Sequence, residues 1–254
     1  MAEIGLDIGS TAAKGVLIND REQFRFMLPT GWSPRAAAES LVHNLLDCSG
    51  LERTRVRRLY ATGYGRAAFS GADKTITEIK CHARGVFALH PEVRTIIDIG
   101  GQDSKVININ EKGKVIDFAM NDKCAAGTGR FLQVMATAMG MDVSELSNAE
   151  DPALTVAINS MCTVFAESEI IGLLANGTPK SGIIAGLHQS VGKRVAAMGR
   201  RLGVRETLAF TGGVAINNGV QRTLSQELGV NLLIPDICQY TGALGAALYA
   251  AEEA

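Results

Sequence analysis

The sequence lacks the cysteine pattern of a disulfide-bonded protein. Its cysteines are odd in number, widely spaced and without a CxxC pair: Cys48, Cys81, Cys124, Cys162 and Cys238. This pattern argues against a disulfide framework, so reduced thiols are the default expectation and metal ligation is the exception. The histidines show no metal-ligand spacing, and we interpret them as surface or core residues.

Long apolar runs and an excess of charge are also missing. No stretch approaches the ~20 apolar residues of a membrane span, and the first residues resemble an acidic strand instead of a basic signal peptide. A net charge of −1 provides no broad attraction to nucleic acid, and the arginines within 53–58 have no interleaved aromatic residues for base stacking. We therefore expect a cytoplasmic protein that binds neither nucleic acid nor membrane.

The chain has mixed α/β patterning. With 254 residues, of which 46% are hydrophobic, it can bury one large core or two smaller ones. Apolar runs predict an antiparallel meander of strands over 3–9, 14–19 and 22–28, followed by a helix that Ser33 caps and that ends before Gly50. The remaining predicted strands are 58–63, 95–100, 105–110, 114–120, 207–213 and 230–235, and the remaining predicted helices are 129–140, 162–177, 183–203 and 217–229.

One short pattern occurs twice. "IGLDIGSTAAKGVLI" near the start aligns with "IIDIGGQDSKVININ" from Ile96, so that Asp7 matches Asp98 and Lys14 matches Lys105. A repeated strand-turn-strand unit favours two similar domains over a single sheet. We predict a first domain over 1–92 and a second over 93–254, with the last helix of the chain able to pack back on the first domain.

The turns of the repeat have the chemistry of an anion site. Gly9 and Gly100 have no Cβ, so backbone N–H groups can approach an anion closely, and neighbouring hydroxyls and lysines add donors and positive charge. Asp7 and Asp98 lie at strand ends, where carboxylates can hold Mg²⁺ through its water shell. One Asp-Gly turn alone would be ordinary hairpin chemistry. Two phased copies and a third glycine-rich strand end, "FTGGVAINNG", favour a nucleotide site instead.

These three segments resemble known motifs. "LDIGSTAAK", "IDIGGQDSK" and "FTGGVAINNG" are similar to the two phosphate motifs and the adenosine motif of the superfamily that joins acetate and sugar kinases, heat-shock chaperone ATPases and actin. This resemblance implies an α/β fold of two similar ribonuclease-H-like domains with a nucleotide cleft between them.

Further segments resemble one family within that superfamily. "TGYGR", "EIKCHARG", "NDKCAAGTGRFL" and "MCTVFAESEII" are similar to the ATP-dependent activators of 2-hydroxyacyl-CoA dehydratases, in the BadF/BadG/BcrA/BcrD-type ATPase family, whose relatives serve benzoyl-CoA reductases. The resemblance covers nearly the whole chain. It implies an ATPase that passes one electron to a dehydratase-type iron-sulfur enzyme, with ferredoxin or flavodoxin as its own electron donor.

The resemblance also implies roles for individual residues. Asp7 and Asp98 would position Mg²⁺ and water, and Gln102 would orient the attacking water or sense the γ-phosphate. The ATP-binding residues that it implies are Gly9, Ser10, Thr11, Lys14, Gly100, Gly101, Gln102, Gly212, Gly213 and Val214.

Two cysteines are implied as metal ligands. In the family a homodimer holds one [4Fe–4S] cluster at its interface, and Cys124 and Cys162 are the matching positions. Both cysteines are predicted at helix starts: Cys124 precedes a helix, and Cys162 lies in the first turn of a helix that Asn159 or Ser160 could cap. Two thiolates from each subunit supply the four that a cluster normally needs. Without the resemblance, the residues alone favour buried structural cysteines, and we expect that role for the other three.

Two alternative functions remain open at this point. A small-molecule kinase of the same fold would have no cluster, and Asp103 or Asp122 could act as its base toward a substrate hydroxyl. An actin-type scaffold is disfavoured because the chain leaves little room for the inserted subdomains that make polymer contacts.

Overall fold

The computed structural model describes residues 1–20, 22–158 and 162–253. It contains two five-stranded sheets with flanking helices. The strands are β1 (Ala2–Ile8), β2 (Ala12–Asn19), β3 (Glu22–Pro29), β4 (Val56–Thr62), β5 (Lys74–Thr75), β6 (Thr95–Ile99), β7 (Ser104–Ile109), β8 (Val115–Asn121), β9 (Leu208–Thr211) and β10 (Leu232–Leu233). The α-helices are α1 (Pro34–Ser49), α2 (Glu78–Leu89), α3 (Gly129–Ala138), α4 (Thr163–Ala175), α5 (Lys180–Leu202), α6 (Asn218–Leu228) and α7 (Thr241–Glu252).

The two sheets repeat one topology. The first has the strand order β3-β2-β1-β4-β5, and the second has the matching order β8-β7-β6-β9-β10. In the first sheet β1 pairs with β2 and β2 with β3 in antiparallel fashion, which confirms the predicted meander. The pairs β1–β4 and β4–β5 are parallel, and so is β9–β10 in the second sheet. The duplicated sequence pattern is therefore a duplicated fold.

Local sequence signals explain the boundaries of α1. The Ser33 hydroxyl accepts a hydrogen bond from the backbone N–H of Ala36, and Pro34 occupies the first helical position. Gly50 ends the helix in the left-handed conformation with φ of 66°. Both ends follow the usual capping chemistry of helices, and the predicted helix is confirmed.

The chain divides into two compact units that interleave along the sequence. The first contains Met1–Ile96, Ile107–Asp117 and Pro235–Ala254, and the second contains Ile97–Val106 and Phe118–Ile234. In the first unit, apolar side chains of β1, β2 and β4 pack against the buried face of α1. The core of the second unit includes the buried side chains of Phe131, Ile183, Leu187, Val191 and Phe210.

Helices α2 and α7 pack together in the first unit through glycines. A Cβ on Gly245 of α7 would lie 1.8 Å from the carbonyl oxygen of Cys81, and one on Gly85 of α2 would lie 2.0 Å from that of Thr241. On the sheet side, Gly5 of β1 contacts Ala243 and Ala247 of α7 just as closely. Sequence patterning predicts no helix over α2, although its segment carries the motif "EIKCHARG". Within the described residues, every helix is too short or too polar to cross a bilayer.

Candidate functional site

The first hairpin of the repeat places a carboxylate opposite an ammonium group. Asp7 and Lys14 are register partners on β1 and β2, and Lys14 Nζ lies 3.8 Å from Asp7 Oδ2. Thr30, which follows β3, fixes the turn between them: its hydroxyl donates to the carbonyl of Gly9 at 2.7 Å and its N–H donates to that of Thr11. The loop is thereby held while Thr11 stays exposed to solvent.

Asp7 is enclosed by residues that sequence reasoning did not assign to the site. A Cβ on Gly63 would lie 2.6 Å from Asp7 Oδ1, and one on Gly242 would lie 3.1 Å from Asp7 Oδ2 and 3.2 Å from His82 Nε2. The His82 ring is held on its other side, where Nδ1 lies 3.0 Å from the hydroxyl of Thr241. The sequence signal that could have identified His82 is the segment "EIKCHARG", which resembles the family but in which His82 has no predicted role.

The second hairpin repeats the carboxylate and ammonium pair in a more buried form. Lys105 Nζ lies 3.5 Å from Asp98 Oδ2 and 2.7 Å from Asp103 Oδ1. The Thr211 hydroxyl donates to Asp98 Oδ1 at 2.9 Å. The Lys105 side chain is only 2% exposed, so its ammonium is committed to these two carboxylates. The carboxylate of Asp103, the candidate base of a kinase, forms an ion pair with this Lys105 ammonium.

The second unit brings its two predicted nucleotide loops together at the start of α3. The backbone N–H groups of Gly129 and Arg130 donate to the carbonyls of Gly100 and Gly101, at 2.9 and 2.7 Å. A Cβ on Gly129 would lie 3.4 Å from Val214 Cγ2. Because α3 is anchored on the loop 100–103 in this way, the loops 100–103 and 212–214 are neighbours.

Gly212 is required by this arrangement. Its φ is 92°, and a Cβ there would lie 2.3 Å from the carbonyl oxygen of Ile99 and 3.0 Å from Asp98 Oδ1. Only glycine combines that backbone conformation with such a close approach. Gln102 is exposed on the adjacent loop and is free to face a bound nucleotide.

A buried polar network lies behind the 212–217 loop. Asn217 caps α6, with its Oδ1 accepting from the N–H of Val220, and its Nδ2 lies 3.1 Å from His188 Nε2. His188 Nδ1 lies 2.7 Å from Glu150, which also receives both terminal nitrogens of Arg222. Nothing in the sequence pattern pointed to this network, since its members are up to 72 residues apart.

Burial and pairing act on the titratable groups of this network in opposite senses. Burial lowers the pKa of His188 below its usual 6.5, against the opposing effect of the Glu150 hydrogen bond. Burial acts to raise the pKa of Glu150, but hydrogen bonds from Arg222 and His188 outweigh it, so the pKa lies below 4.5. The network therefore combines a neutral imidazole with an ionised carboxylate.

The two candidate cluster ligands lie in the second unit. Cys162 is exposed and occupies the N-cap position of α4, which begins at Thr163. Cys124 is partly exposed in the segment before α3, four residues ahead of the N-cap Thr128. Cys124 precedes α3 as predicted, and a turn closed by the hydrogen bond from Thr128 N–H to the carbonyl of Ala125 lies between them. Cys162 was predicted in the first turn of its helix, but it is the N-cap residue, one position earlier.

Other cysteine expectations are partly corrected. The proposed caps Asn159 and Ser160 lie outside the described residues. Cys81 and Cys238 are buried as expected, whereas Cys48 is exposed because it lies in the last turn of α1, beyond the final buried residue Leu45. Across the described ranges, no three His, Cys, Asp or Glu side chains gather as a metal site.

Known proteins match the chain over nearly its whole length. The model of the BadF/BadG/BcrA/BcrD ATPase family matches residues 4–250. The chain belongs to this family. This ATPase is 48% identical to the 2-hydroxyisocaproyl-CoA dehydratase activator of Clostridioides difficile, covering 100% of the chain and 96% of that protein. It is 45% identical to the (R)-2-hydroxyglutaryl-CoA dehydratase activating ATPase of Acidaminococcus fermentans, covering 99% and 97%.

Solved structures confirm the predicted fold class. The activator of the 2-hydroxyisocaproyl-CoA dehydratase from Clostridium difficile with bound ADPNP matches this ATPase with a TM-score of 0.91 and 46% identity, covering 100% of the chain and 95% of that structure. A glucokinase of the ROK family from Streptomyces griseus matches with a TM-score of 0.57, 13% identity and coverage of 99% and 100%. The second likeness concerns the fold alone, which is that of actin-like ATPases and sugar kinases.

Proposed function

We propose that this ATPase is an ATP-dependent activator that donates one electron at a time to a 2-hydroxyacyl-CoA dehydratase or a related benzoyl-CoA reductase-like enzyme. The observation that carries the proposal is the exposed thiol of Cys162 at the N-cap of α4, in a chain that also has both phosphate loops. An ordinary kinase of this fold has no need of an accessible thiol at a helix terminus. Relatives matched over nearly their full length are named as activators of 2-hydroxyacyl-CoA dehydratases, which supports the proposed partner.

ATP is assigned to the loops described above. Gly9, Ser10 and Thr11 of the first hairpin and Gly100 and Gly101 of the second bind phosphates through backbone N–H groups and hydroxyls. Lys14 adds a positive charge. Gly212, Gly213 and Val214 bind the adenosine part. The exposed side chain of Gln102 orients the attacking water, which an amide polarises only weakly, so slow hydrolysis is expected.

The two aspartates fit Mg²⁺ by donor chemistry. Carboxylate oxygens are the hard ligands that Mg²⁺ prefers, and the ion keeps most of its water shell. Asp7 and Asp98 each share their charge with one lysine, at 3.8 and 3.5 Å, which leaves room for contact through water. We assign both residues to positioning Mg²⁺ and the attacking water.

The thiols of Cys124 and Cys162 fit a [4Fe–4S] cluster shared by two subunits. The first N–H groups of α4 receive no side-chain cap, so they can donate to an anionic cluster held at Cys162. A cluster normally takes four thiolates, and this chain offers two accessible ones in its second unit. A two-fold axis supplies the other pair. When bound, the cluster supplies a one-electron carrier whose potential depends on exposure and nearby hydrogen bonds.

An apolar helix face next to Cys162 supports the homodimer. Val164, Phe165 and Ile171 of α4 are between 53% and 68% exposed, and they belong to a helix with few polar residues. Exposed apolar surface of this kind usually marks an interaction site. The proposal also includes ferredoxin or flavodoxin as the electron donor and the cytoplasm as the place of action.

Iron analysis tests the proposal directly. Protein purified and reconstituted without oxygen is expected to contain about four irons and four sulfides per dimer, with an EPR signal on reduction. Cys124→Ser and Cys162→Ser should each lose the iron. Cys48→Ser is the matched control, because Cys48 is also exposed but lies in the first unit, and it should keep the full iron content.

A second measurement separates the activator from a kinase. With ATP and a low-potential reductant, the loaded protein should reduce a purified 2-hydroxyacyl-CoA dehydratase, and it should hydrolyse ATP without any acceptor hydroxyl. A colourless, iron-free wild type that consumes ATP only with a hydroxyl acceptor would refute the activator and favour the kinase.

A further inference from the structure

A cavity of about 680 Å³ lies in the second unit, lined by α5, β7 and the end of β8. Its volume is within the range of roughly 300–1,000 Å³ found for small-molecule sites. None of its residues belongs to the nucleotide loops or is a proposed cluster ligand. The polar side chains that line it are Ser104, Asn121, Ser190, Lys193, Arg194 and Arg201.

The charge of this cavity is entirely positive. Lys193, Arg194 and Arg201 line it from α5, and no acidic side chain lines it among the described residues. Within that part of the chain, Lys193 and Arg194 form no hydrogen bond or ion pair, and Arg201 makes only a long contact from Nε to the carbonyl of Ala197. Three cations that gather without a carboxylate are arranged to receive an anion.

A hydroxyl on the wall of the cavity adds a hydrogen-bonding group to the cations. Ser104 is 2% exposed, lines the cavity and has no side-chain hydrogen bond with any described residue. Other buried hydroxyls of this unit are satisfied: Thr211 donates to Asp98 and Thr128 donates to Ala125. The Ser104 hydroxyl is therefore available to hydrogen-bond a molecule in the cavity.

The rest of the lining is apolar. Met120, Ile158 and Met198 supply flexible or branched hydrocarbon surface beside the cations. Methionine adapts to ligands of varied shape. A bare inorganic anion would leave this surface unused, whereas an ester of an organic group would cover it.

We propose that this cavity is a second ligand site, distinct from the ATP loops, which binds an organic phosphate. The phosphate lies against Arg194, Lys193 and Ser104, and the organic group lies against Met120 and Met198. Arginine suits phosphate because its planar guanidinium donates two parallel hydrogen bonds. Three cations exceed what a single carboxylate needs, which favours the dianionic phosphate.

The cavity shares a wall with the segment that carries Cys124. Asn121 lines the cavity and donates from Nδ2 to the carbonyls of Cys124 and Ala126, at 2.9 and 3.2 Å. The aliphatic part of Arg194 packs on Gly127, where a Cβ would lie 3.0 Å from Arg194 Cδ. A bound organic phosphate therefore orders residues 121–127, and the site is placed to regulate them.

Binding of 1-naphthyl phosphate tests the proposal. The protein is saturated with Mg²⁺ and ADPNP to fill the ATP site, and the probe is followed by calorimetry and by its fluorescence. Wild type should bind one equivalent, more tightly than it binds inorganic phosphate or 1-naphthol. Hydrogen exchange at residues 121–127 should slow when the probe binds.

Variants on α5 decide the location. Arg194→Gln should weaken binding of 1-naphthyl phosphate about tenfold or more, the effect of losing one charge-assisted contact. Arg200→Gln is the matched control, because Arg200 lies on the same helix but donates to Glu227, and it should bind as wild type does. If Arg194→Gln does not fold, the double variant Lys193→Gln, Arg201→Gln replaces it in the test, because both of its residues are exposed, and it should also weaken binding of the probe.

Two outcomes would overturn the site: no binding by wild type with ADPNP present, or equal binding by wild type and the α5 variants. The test is independent of the iron analysis. A protein without iron can still bind the probe, and a protein with iron can fail to bind it.

Discussion

His188 Nε2 lies 3.1 Å from the side-chain amide nitrogen of Asn217, and this contact defines the protonation state of the ring. The Asn217 oxygen accepts from the N–H of Val220, so its NH₂ group faces His188 as a donor. Nε2 must then accept, which leaves the proton on Nδ1, where Glu150 accepts it at 2.7 Å. A neutral histidine thus holds the residue that ends the 212–217 loop.

Removing His188 should destabilise the protein and weaken ATP binding. In His188→Ala, the amide of Asn217 and a carboxylate oxygen of Glu150 lose a buried partner, which costs about 1–3 kcal/mol of unfolding free energy. The loop at Gly212 should also become less well positioned, raising the KM for ATP more than it lowers kcat. Urea unfolding and steady-state ATPase assays measure both effects. His43→Ala, on the exposed face of α1, should leave both unchanged.

Stability should fall in mild acid because of the same histidine. Its pKa is lowered by burial, so below about pH 6.5 the unfolded chain takes up a proton that folded His188 refuses. The contribution is complete above pH 6.5 and is lost as the pH falls toward the folded pKa. Unfolding free energies at pH 7.5 and 5.5 should therefore differ less in His188→Gln than in wild type. Glu150, with its pKa below 4.5, adds its own loss only at lower pH.

The two lysines of the repeat should differ in their effect on stability. Lys105 and Asp98 have side chains only 2% and 3% exposed, so Lys105→Met removes the cation beside a buried carboxylate and should cost about 3–5 kcal/mol. Lys14 and Asp7 are more exposed, at 15% and 9%, and Lys14→Met should cost less. Chemical denaturation of both variants measures the difference, and equal losses would contradict this account of burial.

The contact between α2 and α7 should tolerate no added methyl group. Gly245→Ala or Gly85→Ala would place a Cβ about 2 Å from a backbone oxygen, which forces the helices apart. We expect a loss of several kcal/mol, above the roughly 1–3 kcal/mol of ordinary overpacking, because backbone must move. Gly172→Ala on α4 is the control: its Cβ meets no atom within 4 Å, and alanine should stabilise that helix by about 1 kcal/mol. Thermal unfolding compares the three variants.

Thiol labelling of iron-free protein should separate the cysteines. Burial raises the pKa of Cys81 to about 12, and the neighbouring carboxylates of Asp7 and Glu78 act in the same direction. Iodoacetamide at pH 8 should therefore modify Cys48 and Cys162 quickly and Cys81 only after unfolding. Mass spectrometry of the digested protein identifies the sites. Rapid labelling of Cys81 in folded protein would show that α2 and α7 separate readily.

Local patterns predicted those parts of the fold that depend on neighbours in sequence. The meander, the helix capped by Ser33 and the second copy of the hairpin are confirmed, because alternating apolar residues, caps and tight turns act within a few residues. The resemblance of the motifs to the activator family is confirmed by the matched relatives. The sequence alone was enough to indicate both.

Tertiary structure decided where the charges and thiols of those motifs lie. The Lys105 ammonium has two carboxylate partners, Asp7 is enclosed by Gly63, Gly242 and His82, and Asn217 depends on a histidine 29 residues away. Such contacts join segments far apart in the chain, and burial sets their charge states. A single sequence carries no local signal for these contacts or for the charge states that they set, because both arise only when distant elements pack together.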